Sequence, residues 1–387
     1  MKIIVYEDQP EKFSPLINLY PQYRLRIGGW TILDNILHYF PKTRPEFLTR
    51  DGFENPVLPK HGPVMYLSSR LILKERINLP SEEVRFVIDD ESVGFLKTNA
   101  PYPQTLRDLE KDIRHSKKTR KVSGCVLNNL CDLIRHNNDQ IIAYFTMFHR
   151  KSRPPRNLTI IGPAKEVYVA PDAVVHNLSV VDVTAGPVFI DRKAVIRPLT
   201  TIAGPAYIGP GSVLDRAKVT HSTIGPHCRI GGEVEACVFQ GYSNKYHEGF
   251  LGHSFVGEWV NLGALATNSD LKNNYGPVRI KVGREVIDSG LTKLGVMIGD
   301  HAKLGIGTLI PTGTVIGSFV NFFGGGMTPR FIPSFKWLGP GIDETYDLDK
   351  AIETARVVMK RRQVEMTPSY ENRIRAFYKH EKTLSKT

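Results

Sequence analysis

The sequence predicts an N-terminal α/β domain, then an all-β parallel β-helix of hexapeptide repeats, then a helical tail. Three observations support this architecture. Aliphatic residues recur every six positions in two separate stretches of the second half. Strand-like and helix-like segments alternate over the first 150 residues, and an amphipathic pattern starts near Asp347. The expected domain boundaries are 1–155, 156–340 and 341–387.

The period of six is the strongest signal in the chain. A helix needs apolar positions three or four apart and a flat strand needs alternation, so neither structure explains it. In a parallel β-helix one aliphatic side chain per short strand points inward, and three strands make a coil of roughly 18 residues. The expected inward residues are Ile190, Ile196, Ile202 and Ile208, then Ile298, Leu304, Ile310 and Ile316.

Two interruptions are expected within the β-helix, which should begin near Val167 and lose its pattern after Ile316. The first covers about 239–251 and the second about 266–293. Loops that break a regular stack often carry function, and both stretches are rich in side chains able to bind a sugar phosphate.

Shorter elements are expected in the first domain and between the domains. Thr31 and Asp34 form a capping-box pattern at the start of a helix whose apolar side includes Ile32 and Ile36. The remaining expectations are strands at 2–6, 64–67, 84–88 and 93–96, helices at 105–117 and 125–148, and a linker at 150–156.

The charge balance limits the classes of partner. The chain has 51 basic and 39 acidic residues, a net charge of +12, and basic patches at 115–121, 149–156 and 360–362. These patches lack interleaved aromatic residues and nucleic-acid motifs, so phosphorylated sugars, nucleotides or coenzyme A suit the charge better than nucleic acid, and a solvated basic face is the simpler reading. No apolar run reaches the ~18 residues that span a bilayer. We expect a cytoplasmic protein without membrane insertion, whose four cysteines form no disulfide framework.

Residues 243–252 and 256–264 carry a resemblance to a known family. They look like the acetyltransferase half of the bifunctional N-acetylglucosamine-1-phosphate uridylyltransferase/glucosamine-1-phosphate acetyltransferase family, and archaeal sugar-1-phosphate nucleotidylyltransferases with acetyltransferase tails are similar. The resemblance implies a left-handed β-helix, a homotrimer with the acyl site between subunits, and acetyl-CoA as the acyl donor.

The resemblance also implies roles for individual residues. His247 matches the family's catalytic histidine, and Asn261 matches an asparagine near the amino-sugar. Ala264 matches a residue whose backbone lies beside the thioester. Asn268 and Lys272 match, across a short gap, an asparagine and a lysine that hold the substrate, and Asn244 and Lys245 are further substrate-binding candidates. His253 is a rival base.

The N-terminal domain departs from the family. Active nucleotidylyltransferases open with a glycine-rich loop, and residues 1–10 contain no glycine. Asp89 and Asp90 would suit Mg²⁺ if nucleotidylyl transfer were retained, and a turn is the alternative reading. Phe250 stands where the acetyltransferases have a phosphate-binding tyrosine, so the identity of the acceptor is left open.

Three functions remain. The first is an acyl-CoA-dependent transferase acting on an amino-sugar phosphate or a nucleotide-sugar, with His247 as the base. The second is a sugar-1-phosphate nucleotidylyltransferase. The third is a non-catalytic trimeric scaffold or regulatory subunit.

Overall fold

The computed structural model describes residues 2–50, 53, 55–149, 154–283 and 285–384. Residues 150–153, which form most of the expected linker, lie outside this description. The chain divides into two compact units, of which the first contains most of the chain up to Asn129. The second contains two short early segments, Ser14–Leu19 and Arg26–Gly29, together with the chain from Leu130 onward. Helices that follow Leu130 therefore belong with the β-helix.

The first unit is built around a six-stranded sheet. Its strands and those of a separate pair are β1 (Lys2–Tyr6), β2 (Glu46–Leu48), β3 (Val64–Ser68), β4 (Leu71–Leu73), β5 (Val84–Ile88), β6 (Glu91–Lys97), β7 (Thr119–Lys121) and β8 (Gly124–Val126). The order in the six-stranded sheet is β2-β1-β3-β6-β5-β7, in which β2, β1 and β3 run parallel and β6 is antiparallel to both of its neighbours. The separate pair joins β8 to β4.

Two helices of the first unit confirm the sequence reading. Helix α1 (Ile32–Tyr39) starts at the predicted capping box, in which Thr31 Oγ1 accepts from the Asp34 N–H at 3.1 Å and Asp34 Oδ2 accepts from the Thr31 N–H at 2.9 Å. Helix α2 (Leu106–His115) follows the N-cap Thr105. The α2 residue Leu109 is buried in the same apolar cluster as sheet residues Ile4 and Tyr66.

The helix expected at 125–148 is wrong in its first part. Residues 124–126 pair antiparallel with β4, because that strand offers their backbone groups a hydrogen-bonding partner. The helical part consists of α3 (Asp132–Arg135) and α4 (Asn137–Phe148). Leu127 and Leu130, which precede α3, are as fully buried as Leu133 within it, so apolar spacing did not show where the helix begins.

The second unit contains the predicted parallel β-helix, with three faces that the chain visits in the order A, B, C. Face A contains Val167–Val169, Val188–Ile190, Ala206–Ile208, Thr223–Ile224, Val238–Gly241, Phe255–Glu258, Met297–Ile298, Val315–Ile316 and Phe331–Ile332. Face B contains Val174–Val175, Val195–Ile196, Asn244–Lys245, Asn261–Leu262, Lys303–Leu304, Asn321–Phe322 and Lys336–Gly339.

Face C completes each coil. It contains Thr159–Ile161, Val180–Asp182, Thr201–Ala203, Phe250–Gly252, Thr267–Asn268, Thr308–Ile310 and Gly326–Met327. Two longer strands, Val213–Thr220 and Arg229–Glu235, run around the corner from face B to face C. The β-helix therefore starts before Val167 and continues well past Ile316.

The predicted inward residues form the core of the β-helix. All eight of them are at most 3% exposed, and each stacks on its counterpart in the next coil, as in the column Ile190, Ile208 and Ile224. Neighbouring strands in a sheet lie about 4.8 Å apart, so each aliphatic side chain packs between those above and below it.

The first expected interruption, at 239–251, does not exist. This stretch forms a regular coil with strands on all three faces. The pattern looked broken because Lys245 occupies the inward position between Ile230 and Leu262 and is only 2% exposed. Its ammonium group donates to the Gly231 carbonyl at 3.0 Å and to the His247 carbonyl at 2.7 Å.

The second interruption is confirmed. The chain leaves the stack after Asp270 and rejoins it at Leu294, whose N–H donates to the Asp270 carbonyl at 2.8 Å. The described residues in between carry an antiparallel hairpin of Arg279–Val282 and Glu285–Asp288.

The C-terminal tail packs at the corner between faces A and B. It consists of Ile342–Thr345, which pairs antiparallel with Lys336–Gly339, followed by α5 (Leu348–Lys360) and α6 (Pro368–Leu384). At this corner Tyr370 Oη lies 2.9 Å from His301 Nε2. The predicted helical tail is thereby confirmed.

Two short strands near the start of the chain, Arg26–Ile27 and Trp30–Thr31, precede α1.

Replacing an inward residue should destabilise the β-helix far more than replacing its outward neighbour. Ile310 is 3% exposed and Leu309 is 43% exposed, and both lie in the same strand. We expect Ile310→Ala to lower the free energy of unfolding by about 2–5 kcal/mol, because it leaves a cavity. Leu309→Ala should cost less than about 1 kcal/mol. Urea unfolding of both variants measures the difference, and equal costs would contradict the inward assignment.

The buried Lys245 should make stability depend on pH. Burial lowers the pKa of Lys245 from 10.5 to about 8. Between these values the unfolded chain binds more protons than the folded one, so stability rises with pH. We expect the wild type to gain about 2–3 kcal/mol relative to Lys245→Met between pH 7 and pH 10, measured by urea unfolding.

The exposed Lys165 provides the matched control for this pH dependence. Lys165→Met should follow the wild type across the whole pH range. If Lys245→Met also follows it, the ammonium group is not buried in the folded protein.

Candidate functional site

The candidate site lies on face B and at its corner with face C, in two consecutive coils. His247 is exposed in the turn between the strands Asn244–Lys245 and Phe250–Gly252. Its carbonyl accepts from the buried Lys245 ammonium group, which ties the turn to the interior of the β-helix. The Tyr246 ring lies edge-on to the imidazole, with 5.8 Å between the ring centroids, and its hydroxyl donates to Asp215 at 2.8 Å.

Ala264 occupies the equivalent turn of the next coil. The Leu265 N–H donates to the Glu248 carbonyl at 2.8 Å and joins the two turns directly. Gly249 has a φ of +128°, and a Cβ there would lie 2.3 Å from the Ala266 carbonyl oxygen, so only glycine permits this close approach. The structure therefore brings His247 and Ala264 to adjacent turns at one corner.

Asn244 and Asn261 stack on the outer surface of face B. They are paired in register in neighbouring strands, and Asn244 Nδ2 donates to Asn261 Oδ1 at 3.2 Å. Asn261 is exposed and Asn244 is half-buried. These two amides lie in the same coils as His247 and Ala264.

The sequence analysis missed two arginines at this surface. Arg229 pairs in register with Asn244 one coil earlier, and Arg362 follows α5 and donates from Nη2 to Asn244 Oδ1 at 2.7 Å. The spacing of 15 residues from Arg229 to Asn244 is compatible with one coil. Arg362 lay in a basic patch that resembled an ordinary solvated surface, and no sequence spacing signals its proximity to Asn244.

Three predicted substrate contacts are placed differently from expectation. Lys245 points into the core, so its position contradicts a role at the outer surface. Asn268 is 5% exposed. Its Oδ1 accepts from the Gly252 N–H at 2.7 Å and its Nδ2 donates to the Gly252 carbonyl at 3.0 Å, so the side chain joins two coils. Lys272 donates to the Pro277 carbonyl within the second interruption of the β-helix, and among the described residues it has no hydrogen bond to face B.

A second histidine, His253, has its ring oriented by a carboxylate that the sequence analysis did not connect with it. His253 Nδ1 lies 2.7 Å from Asp270 Oδ2, one coil later, and both side chains are mostly buried. Burial acts to raise the pKa of Asp270, but the hydrogen bond and charge of His253, together with Lys293, outweigh it and hold the pKa below its usual range. His253 follows the strand Phe250–Gly252, and His247 precedes it.

The end of β1 in the first unit is filled by ion pairs. Glu7 is 2% exposed, accepts from the Arg50 backbone N–H at 2.8 Å and pairs with the Arg50 guanidinium. Asp8 pairs with Arg70 at 2.9 Å. The strand is therefore followed by paired carboxylates and not by a glycine-rich loop.

Asp89 and Asp90 form a two-residue hairpin turn between β5 and β6, with φ values of 45° and 67°. The turn that the sequence allowed is therefore present. Within the described residues no group of three or more histidine, cysteine or acidic side chains is arranged to hold a metal ion. None of the described helices is both long and apolar enough to cross a bilayer, and the cytoplasmic location stays a prediction.

Comparisons with known proteins support the resemblance. Residues 3–153 match the model of the sugar nucleotidyl transferase family. A bifunctional sugar-1-phosphate nucleotidylyltransferase/acetyltransferase of Sulfurisphaera tokodaii is 32% identical over 157 residues, 38% of this chain and 37% of that protein. The bifunctional protein GlmU of Methanocaldococcus jannaschii is 30% identical over 116 residues, 30% of this chain and 26% of that protein.

Among solved structures, AntD, an N-acyltransferase from Bacillus cereus in complex with dTDP and 3-hydroxybutyryl-CoA, has a TM-score of 0.17 and 14% identity, covering 54% of this chain and 93% of that chain. The chain spans 37% or less of the length of the two relatives named above. At this modest identity, the chain resembles bifunctional sugar-1-phosphate nucleotidylyltransferase/acetyltransferases, and its N-terminal residues 3–153 match sugar nucleotidyl transferases.

Proposed function

We propose that the protein transfers an acyl group, most simply acetyl, from acyl-CoA to the amine of an amino-sugar phosphate or a nucleotide-sugar. The observation that carries this proposal is the placement of His247 and Ala264 in adjacent turns, beside the stacked Asn244 and Asn261. A histidine, a backbone N–H and two side-chain amides thus lie at one edge of the β-helix, and this arrangement supports the proposal. The matched relatives are transferases, which supports the same class of reaction.

The residues supply the elements that acyl transfer needs. The acceptor amine forms a bond to the thioester carbon while His247 takes its proton, a role that histidine fills more often than any other side chain. The tetrahedral intermediate then breaks its C–S bond, and the proton passes from His247 to the departing CoA thiolate. Within the described residues the Ala264 N–H has no hydrogen-bond acceptor, so it is available to the oxyanion.

The two amides suit a hydroxylated acceptor. Each asparagine side chain offers both a carbonyl acceptor and an NH₂ donor. Asn261 Nδ2 has no hydrogen-bond acceptor among the described residues, so it can bind a sugar hydroxyl.

We also propose a homotrimer, in which a neighbouring subunit would complete the groove beside His247. Light scattering on the purified protein measures the mass directly.

Removing the base should abolish most of the activity. With acetyl-CoA and a panel of amino-sugar phosphates and nucleotide amino-sugars, CoA release should be detected with a thiol reagent. We expect His247→Ala to lower kcat/KM by about 10²–10⁴, the usual contribution of a general base. His176, an exposed histidine in an early coil, is the control, and His176→Ala should change kcat/KM by less than about twofold.

Two other hypotheses, that His253 is the base and that the protein is a non-catalytic scaffold, predict different results in the same assay. If His253, oriented by Asp270, were the base, His253→Ala would cause the large loss and His247→Ala would not. If the protein were a non-catalytic scaffold, the wild type would release no CoA with any acceptor.

Nucleotidylyl transfer is the second candidate, because residues 3–153 match that family. We expect no pyrophosphate when the protein is incubated with a nucleoside triphosphate, a sugar-1-phosphate and Mg²⁺. The reason is that Glu7 and Asp8, paired with Arg50 and Arg70, follow β1 where a glycine loop would hold the phosphates. An enzymatic pyrophosphate assay tests this, and release that grows with enzyme concentration would show that the first unit is catalytic.

A further inference from the structure

We propose that Arg229 and Arg362, together with Asn244 and Asn261, form a binding site for the phosphate groups of a ligand on face B. Anion binding at this site can be measured without turnover. Its assignment to a substrate of the acyl transfer rests on the proposed function.

The four side chains converge on one surface for a structural reason. Arg229, Asn244 and Asn261 take the same outward position in three consecutive coils, as the register of their strands shows. Neighbouring strands are about 4.8 Å apart, so this column spans roughly 10 Å. Arg362 reaches the middle of the column from the tail and donates to Asn244 Oδ1 at 2.7 Å.

The positive charges at this surface are not balanced by carboxylates. Within the described residues, neither Arg229 nor Arg362 forms an ion pair with an acidic side chain. Arg229 Nη1 is bonded only to backbone carbonyls, of Gly211 at 3.1 Å and Cys228 at 3.0 Å. The nearby carboxylate of Asp215 is already engaged by Arg197 and the Tyr246 hydroxyl. Two half-buried guanidinium groups without a counter-ion are suited to an anionic ligand.

The electrostatics agree with the geometry. The pKa of Arg362 is lowered, first by burial and then by the charges of Arg229 and Arg361. The pKa of His227 is also lowered, first by burial and then by Arg229 and Arg362. A bound phosphate would supply the negative charge that the described carboxylates do not provide here.

The tail holds Arg362 in place. Helix α6 is anchored by the hydrogen bond between Tyr370 Oη and His301 Nε2, and Arg356 of α5 pairs with Glu371 of α6. Arg362 lies in the turn that follows α5, so it is placed by the docking of these two helices. The Arg362–Asn244 hydrogen bond is one of several contacts that dock the tail, so Arg362→Ala should leave both helices in place.

The position of this surface limits the class of ligand. Asn244 lies three residues before His247, on the same coil, so a phosphate here is close to the proposed base. A phosphate or diphosphate of the acceptor sugar, or the diphosphate of coenzyme A, has the required chemistry. Both are bound through the same guanidinium contacts.

Binding of inorganic pyrophosphate to the full-length protein, measured by calorimetry at low salt, tests the proposal. We expect Arg362→Ala and Arg229→Gln each to weaken binding by about tenfold or more, since each removes a charge-assisted contact. Arg362→Lys should recover part of the loss, because it restores the charge without the planar fork. The control is Lys360→Ala, which removes an exposed charge two residues from Arg362 and should change binding by less than about twofold.

Competition then distinguishes the two sources of phosphate. If UDP displaces pyrophosphate and CoA does not, the site serves the acceptor, and the opposite result assigns it to the donor. Far-UV circular dichroism and the melting temperature must match the wild type, and Arg229→Gln tests the site without altering the tail. Pyrophosphate that fails to bind the wild type, or that binds Arg229→Gln and Arg362→Ala as well as the wild type, would overturn the proposal. Absence of acyl transfer with binding intact would instead remove the proposed function alone.

Discussion

One side chain per strand must fill the interior between the coils above and below it, and the remainder of this β-helix follows from that constraint. The aliphatic columns hold the strands in register, so outward positions repeat with the length of a coil. Lys245 and Asn268 are polar residues at inward or buried positions, and both lie beside the candidate site. Lys245 stabilises the turn of His247, and Asn268 joins two coils at Gly252. A polar interior here trades apolar packing for fixed turn geometry.

The elements that could be predicted from sequence are those whose pattern is local. Ile190 to Ile208 repeat every six residues because each has the same inward role, and Thr31 and Asp34 cap α1 through their own backbone. Prediction failed where a distant partner decided the structure. Residues 124–126 form a strand because β4 lies beside them. The coil at 239–251 was hidden by Lys245, whose burial depends on carbonyl groups of two neighbouring coils.

The same distinction applies to the candidate site. Asn244 and Asn261 are separated by 17 residues, and so are His247 and Ala264, because one coil carries each residue to its neighbour. Their proximity is therefore implied by the repeat. Asp270 follows His253 by 17 residues as well. Arg362 lies 118 residues from Asn244 and reaches it only through the packing of α5 and α6, so no repeat could predict it.

Docking of the tail depends on an aromatic ladder at the corner between faces A and B. The ladder consists of His227, Tyr242, Trp259, His301, Phe319 and Phe335. These residues all have positive φ, a conformation that is costly for residues with a Cβ. Stacking across successive coils offsets this cost, with 4.3 Å between the ring centroids of Tyr242 and Trp259 and 4.9 Å between those of Phe319 and Phe335. Burial keeps the pKa of His301 well below its usual value, so the ring stays neutral and can bond the Tyr370 hydroxyl. The aromatic ladder thus positions α6, and α6 positions α5. Arg362, in the turn after α5, is thereby held at face B.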